Sequence, residues 1–162
     1  MGDINQSRLE FWNSRAPLGM AAGTNDVTLK ALEIKNISRF LVGCKYVLDA
    51  GCGNGFTAIS ILKNMVDVQV YGFDYSDVMV QEAKRLGKEE GVLDRLVFEV
   101  GDLISPPFQN DYFDAVYTER ALINLNGADE QKVAISALVD KVKRGGRVIL
   151  CESFKDGLDE IN

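Results

Sequence analysis

Residues 47–55 read VLDAGCGNG. A short apolar run reaches Asp49, and glycines then take the alternate positions 51, 53 and 55. Glycine is costly inside a helix or strand because it gives up the most backbone freedom on folding. Three of them directly after an apparent buried strand leave two explanations. Either the chain turns very tightly there, or a ligand must come close to the backbone. Both fit the point where a parallel strand hands over to its helix.

The sequence on either side supplies that setting. KYVLDA (45–50), VQVYGF (68–73), RLVFEV (95–100), FDAVYT (113–118) and GGRVILCES (145–153) read as strands. Between them FTAISILKNMV (56–66), SDVMVQEAKRLGKEE (76–90) and ADEQKVAISALVDKV (128–142) read as helices, the last with Val133, Ile135, Leu138 and Val142 toward the core. Apolar strands alternating with amphipathic helices predict a doubly wound α/β fold, a mainly parallel sheet with helices on both faces. Such folds bind ligands beyond the carboxyl ends of their strands. Upstream, residues 4–16 predict a short helix with Leu9, Phe11 and Trp12 on one side. A second helix is expected from a cap at Thr24 or Asn25, through Leu29, Leu32, Ile34, Ile37 and Leu41, to a stop near Gly43. The organisation expected is a helical cap over 1–42 and a ligand-binding domain over 43–162.

The bulk composition narrows the function. The chain has 162 residues, 46% of them hydrophobic, enough for one domain with a real core. A net charge of −6 argues against a broad nucleic-acid surface, which is built from lysine and arginine. No apolar run is long enough for a membrane span and the start lacks a signal-peptide core, so a cytoplasmic location is expected. Cys44, Cys52 and Cys151 are odd in number and not in CxxC pairs, which indicates reduced thiols and neither a disulfide framework nor a metal site. There is no histidine at all, so acid–base chemistry must fall to carboxylates, tyrosine, lysine or water.

The glycine spacing also discriminates between cofactors. The dinucleotide fingerprint is GxGxxG, whose third glycine would fall on Phe56, whereas this stretch reads GxGxG after an acid. Nicotinamide binding is therefore the weaker alternative. Asp49-Ala50-Gly51-Cys52-Gly53-Asn54-Gly55 instead resembles the first motif, (D/E)xGxGxG, of the class I S-adenosylmethionine-dependent methyltransferases, with a Rossmann-like fold. The likeness runs from about residue 40 to 153, through YGFDYS, GDL (101–103), FDAVYTERALINL and VKRGGRVILCE, with Arg144 standing where proline is common.

The resemblance implies S-adenosylmethionine as cofactor and S-adenosylhomocysteine as product. It puts Asp49, Gly51, Cys52, Gly53, Asn54 and Gly55 beneath the methionine part and ribose, and Asp74 on the ribose hydroxyls, which suit a carboxylate. Tyr75 either flanks the adenine or is a packing residue, and Met79 reads as core. Asp102, with Leu103, is expected at the adenine amino group, or else Asp102 forms a turn. Thr118 completes the cofactor set. Glu119 is the one candidate base; the competing reading pairs it with Arg120 or gives it a role at the start of the next helix. The chain has TERA where methyltransferases acting on nucleic-acid bases carry (N/D)PPY, and no cysteine stands where a cytosine-directed nucleophile would. A small-molecule acceptor, methylated at oxygen or nitrogen, is therefore expected, with the wording of TERALINL and ESFKDGLDEIN pointing weakly toward bacterial cell-surface or secondary metabolism. A module that binds the cofactor without catalysis is the other alternative. Family members follow the fifth strand with a helix and a hairpin that covers it. The sequence stops short of those, so the expectation is a C-terminally truncated domain that associates with itself through an exposed strand at 147–152.

Overall fold

A computed structural model describes residues 2–153. Five parallel strands form one sheet in the order β3-β2-β1-β4-β5: β1 (Tyr46–Ala50), β2 (Gln69–Asp74), β3 (Leu96–Val100), β4 (Phe113–Glu119) and β5 (Val142–Cys151). The helices are α1 (Gly2–Arg15), α2 (Val27–Phe40), α3 (Phe56–Asn64), α4 (Asp77–Glu89) and α5 (Ala128–Lys141). The chain winds outward from β1 to β3, then crosses to β4 on β1's other side. That reversal opens a crevice beyond the carboxyl ends of β1 and β4.

β1 is buried from Val47 to Ala50 and apolar there apart from Asp49, because both of its faces are covered. Val47 packs with Ile59, Ile61 and Leu62 of α3 and Val80 of α4, while Leu48 and Ala50 join Phe73, Phe113, Val116 and Leu138 of α5 on the other side. This is the double burial that makes a parallel strand read as a continuous hydrophobic run. Helix α4 starts at Ser76, whose Oγ accepts from the Met79 amide at 3.0 Å. Within β5 the KRGG stretch is a bulge. Phe113 pairs with Val142, but Ala115 already pairs with Arg147. A Cβ on Gly146 would lie 2.4 Å from Val142 Cγ1 and 2.8 Å from the Asp114 carbonyl, so the bulge needs glycine there.

Three local expectations are corrected. The cap of α2 is Asp26, which accepts from the Leu29 amide at 2.9 Å, while Thr24 instead accepts from Asp26 N. Leu29 and Leu32 are exposed, and the inward face of α2 carries Lys30, Glu33, Ile37 and, just past the helix, Leu41. Two charged side chains replace leucines there because they face partners at and just past the end of β4, Lys30 toward Glu119 and Glu33 toward Arg120. In α5, Val133 is exposed and Ala134 is buried with Leu138, a rotation of one position. Residues 154–162, most of the ESFKDGLDEIN stretch, lie outside the described residues. Among the described residues no helix is long and apolar enough to cross a membrane.

Candidate cofactor site

The carboxyl ends of the strands frame one cavity of about 840 Å³, within the usual range for small-molecule sites. Its floor is the turn after β1. Gly51, Gly53 and Gly55 have φ of 80°, 51° and 77°, the left-handed region in which a side chain is strained. Their surroundings differ. A Cβ on Gly51 would meet Ala121 Cβ at 2.5 Å, and one on Gly55 would meet Ala83 Cβ at 2.9 Å and Phe98 Cζ at 3.1 Å. A Cβ on Gly53 would meet nothing within 4 Å. So the outer glycines let α4, β3 and the chain after β4 pack closely, and the middle one keeps an open backbone face. Close packing thus accounts for Gly51 and Gly55, while Gly53 has open space beside its backbone.

Asp74, at the end of β2, is tied into the floor. Its Oδ2 accepts from the Gly53 amide and its Oδ1 from the Ser76 amide, each at 2.9 Å. Burial pushes its carboxyl pKa up, and the backbone amides of Ser76, Gly53 and Tyr75 work against that. Asp49 is fully enclosed and accepts from the Tyr117 hydroxyl at 2.7 Å. Burial pushes it up to about 7, helped by the charge of Glu119 and opposed by the tyrosine bond. Asp102 lines the cavity and also forms the turn expected of it, its Oδ1 accepting from Ile104 N at 2.7 Å. Tyr75 lines the cavity partly exposed, and Met79 is core, as read. Burial leads the upward shift at all three cysteines, which favours thiol over thiolate.

Of the expected cofactor residues, Asp49, Gly51, Cys52, Gly53, Asn54, Asp74, Tyr75, Asp102 and Leu103 share this wall. Gly55 and Thr118 do not reach it. Gly55 begins α3 and is packed from behind, and Thr118 is fully buried in β4 with its Oγ1 unpartnered.

Glu119 also lines the cavity, but not as a free base. Lys30 Nζ lies 2.8 and 2.9 Å from its two oxygens, and the Thr57 hydroxyl donates to Oε2 at 2.5 Å. Arg120 is further from it, at 3.6 Å, and donates to Glu33 at 3.1 Å. The pairing expected with Arg120 thus goes first to Lys30. Burial disfavours the charge on Glu119, yet Glu33, Lys30 and Thr57 together hold its pKa below the ordinary value. Glu33 takes the opposite course, raised to about 7 by burial and by its neighbour Glu119.

Residues before 43 supply much of the remaining wall, including Leu9, Trp12 and Met20, and Ile123 and Leu125 add an apolar patch after β4. Trp12 was legible as part of an apolar helix side. Met20 sits in an irregular segment with no period to read.

Comparison with known proteins agrees with this geometry. A methyltransferase-domain model matches residues 47–146, and the chain belongs to that family of class I methyltransferase domains. A probable chloroplastic tocopherol O-methyltransferase of Oryza sativa subsp. japonica is 30% identical over 106 residues, 65% of this chain and 28% of that protein. The 27-O-demethylrifamycin SV methyltransferase of Amycolatopsis mediterranei is 34% identical over 104 residues, 64% of this chain and 37% of that protein. The YcgJ protein of Bacillus subtilis superposes with a TM-score of 0.68 at 26% identity, covering 80% of this chain and 55% of that one. The chain therefore spans about a third of the length of these curated relatives.

The cofactor of this family is S-adenosylmethionine, and the residues present fit it. Gly53 offers an open backbone face, Asp74 a carboxylate suited to paired hydroxyls, and the wall around them an apolar enclosure.

Proposed function

We propose that this chain is the cofactor-binding core of an S-adenosylmethionine-dependent methyltransferase that methylates a small molecule at oxygen or nitrogen. The observation that carries this is the cavity itself, which gathers the glycine loop, Asp74 and Asp102 at three successive strand ends and extends into an apolar wall. In this reading Asp74 takes the ribose hydroxyls, Asp102 the adenine amino group, and Tyr75 the adenine edge. Asp49 and the backbone of residues 51–54 take the methionine end. Residues 1–42 act as a cap that encloses the acceptor, and a cytoplasmic setting goes with the reading. When bound, the cofactor supplies an already activated methyl sulfonium. The protein's share is then to orient the acceptor and exclude water, effects worth several kcal/mol of barrier. Glu119 is assigned to holding the cap rather than to proton transfer, because its oxygens are committed to Lys30 and Thr57.

Calorimetric titration with S-adenosylmethionine at pH 6 and pH 8 tests this. Asp49 has a raised pKa of about 7. Its contribution to stability is present at low pH and is lost as pH rises through that value. A cationic ligand favours its ionised form, so binding releases a proton and affinity increases with pH. The expected rise is up to about tenfold, with a smaller rise for Asp49→Asn. Absence of saturable binding by the folded protein would refute the reading, as would NAD binding in its place.

We also propose self-association through residues 147–152. Strand β5 pairs with β4 on one side and stands at the edge of the sheet among the described residues, leaving a row of ladder groups for another strand. Analytical ultracentrifugation is expected to show a concentration-dependent dimer in the high micromolar range, and a monomer throughout would overturn it.

A further inference from the structure

Asn54 stands in the glycine loop, yet its side chain serves another part of the chain. Its Nδ2 donates to the Ala16 carbonyl at 3.0 Å and to the Gly19 carbonyl at 2.9 Å. The side-chain amide has two N–H donors, and both go to this segment. Asn54 is only 4% exposed, and Ala16 is equally enclosed. The receiving stretch, Ala16–Ala22, is a 3₁₀ run broken at Gly19, whose φ of 57° and ψ of −129° are not helical. Carbonyls in so irregular a segment need donors from elsewhere once water is excluded. Met20, Ala22 and Gly23 then form part of the cavity wall. One residue thus has its backbone in the cofactor floor and its amide in the opposite wall.

We propose that Asn54 is a positioning residue. Cofactor seated on the glycine loop fixes, through the Asn54 amide, the wall at residues 16–23 against which the acceptor lies. The inference deepens the cofactor-site reading and rests on it. Two contacts run parallel to it: Ser76 Oγ donates to Asn13 Oδ1 at 2.6 Å, and Arg120 donates to the Gly23 carbonyl at 3.1 Å. These keep the cap attached when Asn54 is changed. Asn54 differs because it belongs to the loop that the cofactor covers. Coupling of this kind is reciprocal, so the order that the cofactor gives the wall returns as affinity for the cofactor.

Hydrogen exchange with S-adenosylhomocysteine as probe, on the wild-type protein and on Asn54→Leu, tests the coupling. Leucine has a similar volume and no donor. In the wild type the probe is expected to slow exchange in both the glycine loop and residues 16–23. In Asn54→Leu, residues 16–23 are expected to exchange about tenfold faster without ligand, with the sheet core unchanged. The probe still binds, weakened by no more than about tenfold, and protects the loop but no longer residues 16–23. Equal protection of residues 16–23 in both proteins would overturn the proposal. So would loss of binding with exchange of 16–23 unaltered, which would make Asn54 a direct cofactor ligand. Failure of the wild type itself to bind would sink the cofactor reading and the coupling with it, while the ligand-free comparison would still report on the tether.

Discussion

Asp74→Ala is expected to weaken S-adenosylhomocysteine binding by at least about 100-fold while leaving a folded protein, because two charge-assisted hydrogen bonds are each worth roughly 1.5–3 kcal/mol. The carboxylate has two tasks. It accepts from Gly53 N and Ser76 N, which joins the glycine turn to the start of α4. Its remaining lone pairs are what the ribose hydroxyls would use. Alanine removes both at once, leaving two amides without their acceptor at a stability cost of about 2 kcal/mol. Asp74→Asn separates the tasks. An amide keeps one acceptor oxygen but turns an N–H₂ toward one of the two backbone donors, so it disturbs the floor as well as the ligand. Both variants are therefore expected to lower Tm, with Asn affecting binding nearly as much as Ala. A thermal scan beside the titration distinguishes loss of site from loss of fold. Wild-type affinity in a folded Asp74→Ala would remove the ribose from this carboxylate and leave its role purely architectural.

The wound sheet was readable because its central strands β1 and β4 are buried on both faces and so appear as short, largely apolar runs of the right length, as in YVLDA and FDAVYT. The glycine turn was readable for a related reason. Positive φ at 51, 53 and 55 admits few alternatives to glycine, so the backbone demand shows directly in composition. What the sequence hid is long-range polar pairing. Lys30 looks like a solvated residue between Leu29 and Leu32, and only the fold shows that it faces Glu119, 89 positions away. A periodic reading of α2 ranks leucines ahead of charges and so rotates the helix. Asn54 misled in the same way. It lies within the motif, and no local pattern signals that its amide reaches back to Ala16 and Gly19. The family resemblance places Gly55, the third glycine of the motif, and Thr118, in the fourth matching segment, at the cofactor. Strand alternation turns Thr118 into the core, and packing of α4 occupies the space behind Gly55.

Lys30→Met is expected to lower stability by about 3 kcal/mol, because it leaves the Glu119 carboxylate buried without its nearest cation. The pair is 8% exposed on each side, so solvent does little to screen it or to replace the missing partner. Arg120 at 3.6 Å and Thr57 remain, which keeps the loss below that of a wholly isolated charge. For a chain of this size the change corresponds to a Tm drop of roughly 6–12 °C. The pH dependence carries a definite sign. In the wild type, Glu119 has a lowered pKa, so its contribution is present above the ordinary carboxylate range and lost as pH falls. In Lys30→Met the orphaned acid regains stability by taking a proton, so the deficit is expected to shrink between pH 8 and pH 5. Glu33, raised to about 7 by burial and by the neighbouring Glu119 in spite of Arg120 and Lys30, shows how strongly this cluster disfavours a second negative charge. Adding Glu119→Gln removes the charge and lets the side-chain oxygen keep the Thr57 bond, so the double variant is expected to recover about 2 kcal/mol of the loss. Chemical denaturation of the wild type, Lys30→Met, Glu119→Gln and the double variant at both pH values measures this. A deficit equal at pH 5 and pH 8, with no recovery in the double variant, would mean that Lys30 acts through the packing of its buried side chain and not through its charge. The Lys30–Glu119 pair would then add no net stability where α2 meets the end of β4, and the cap would rest on packing, the Arg120–Glu33 pair and the Asn54, Ser76 and Arg120 hydrogen bonds.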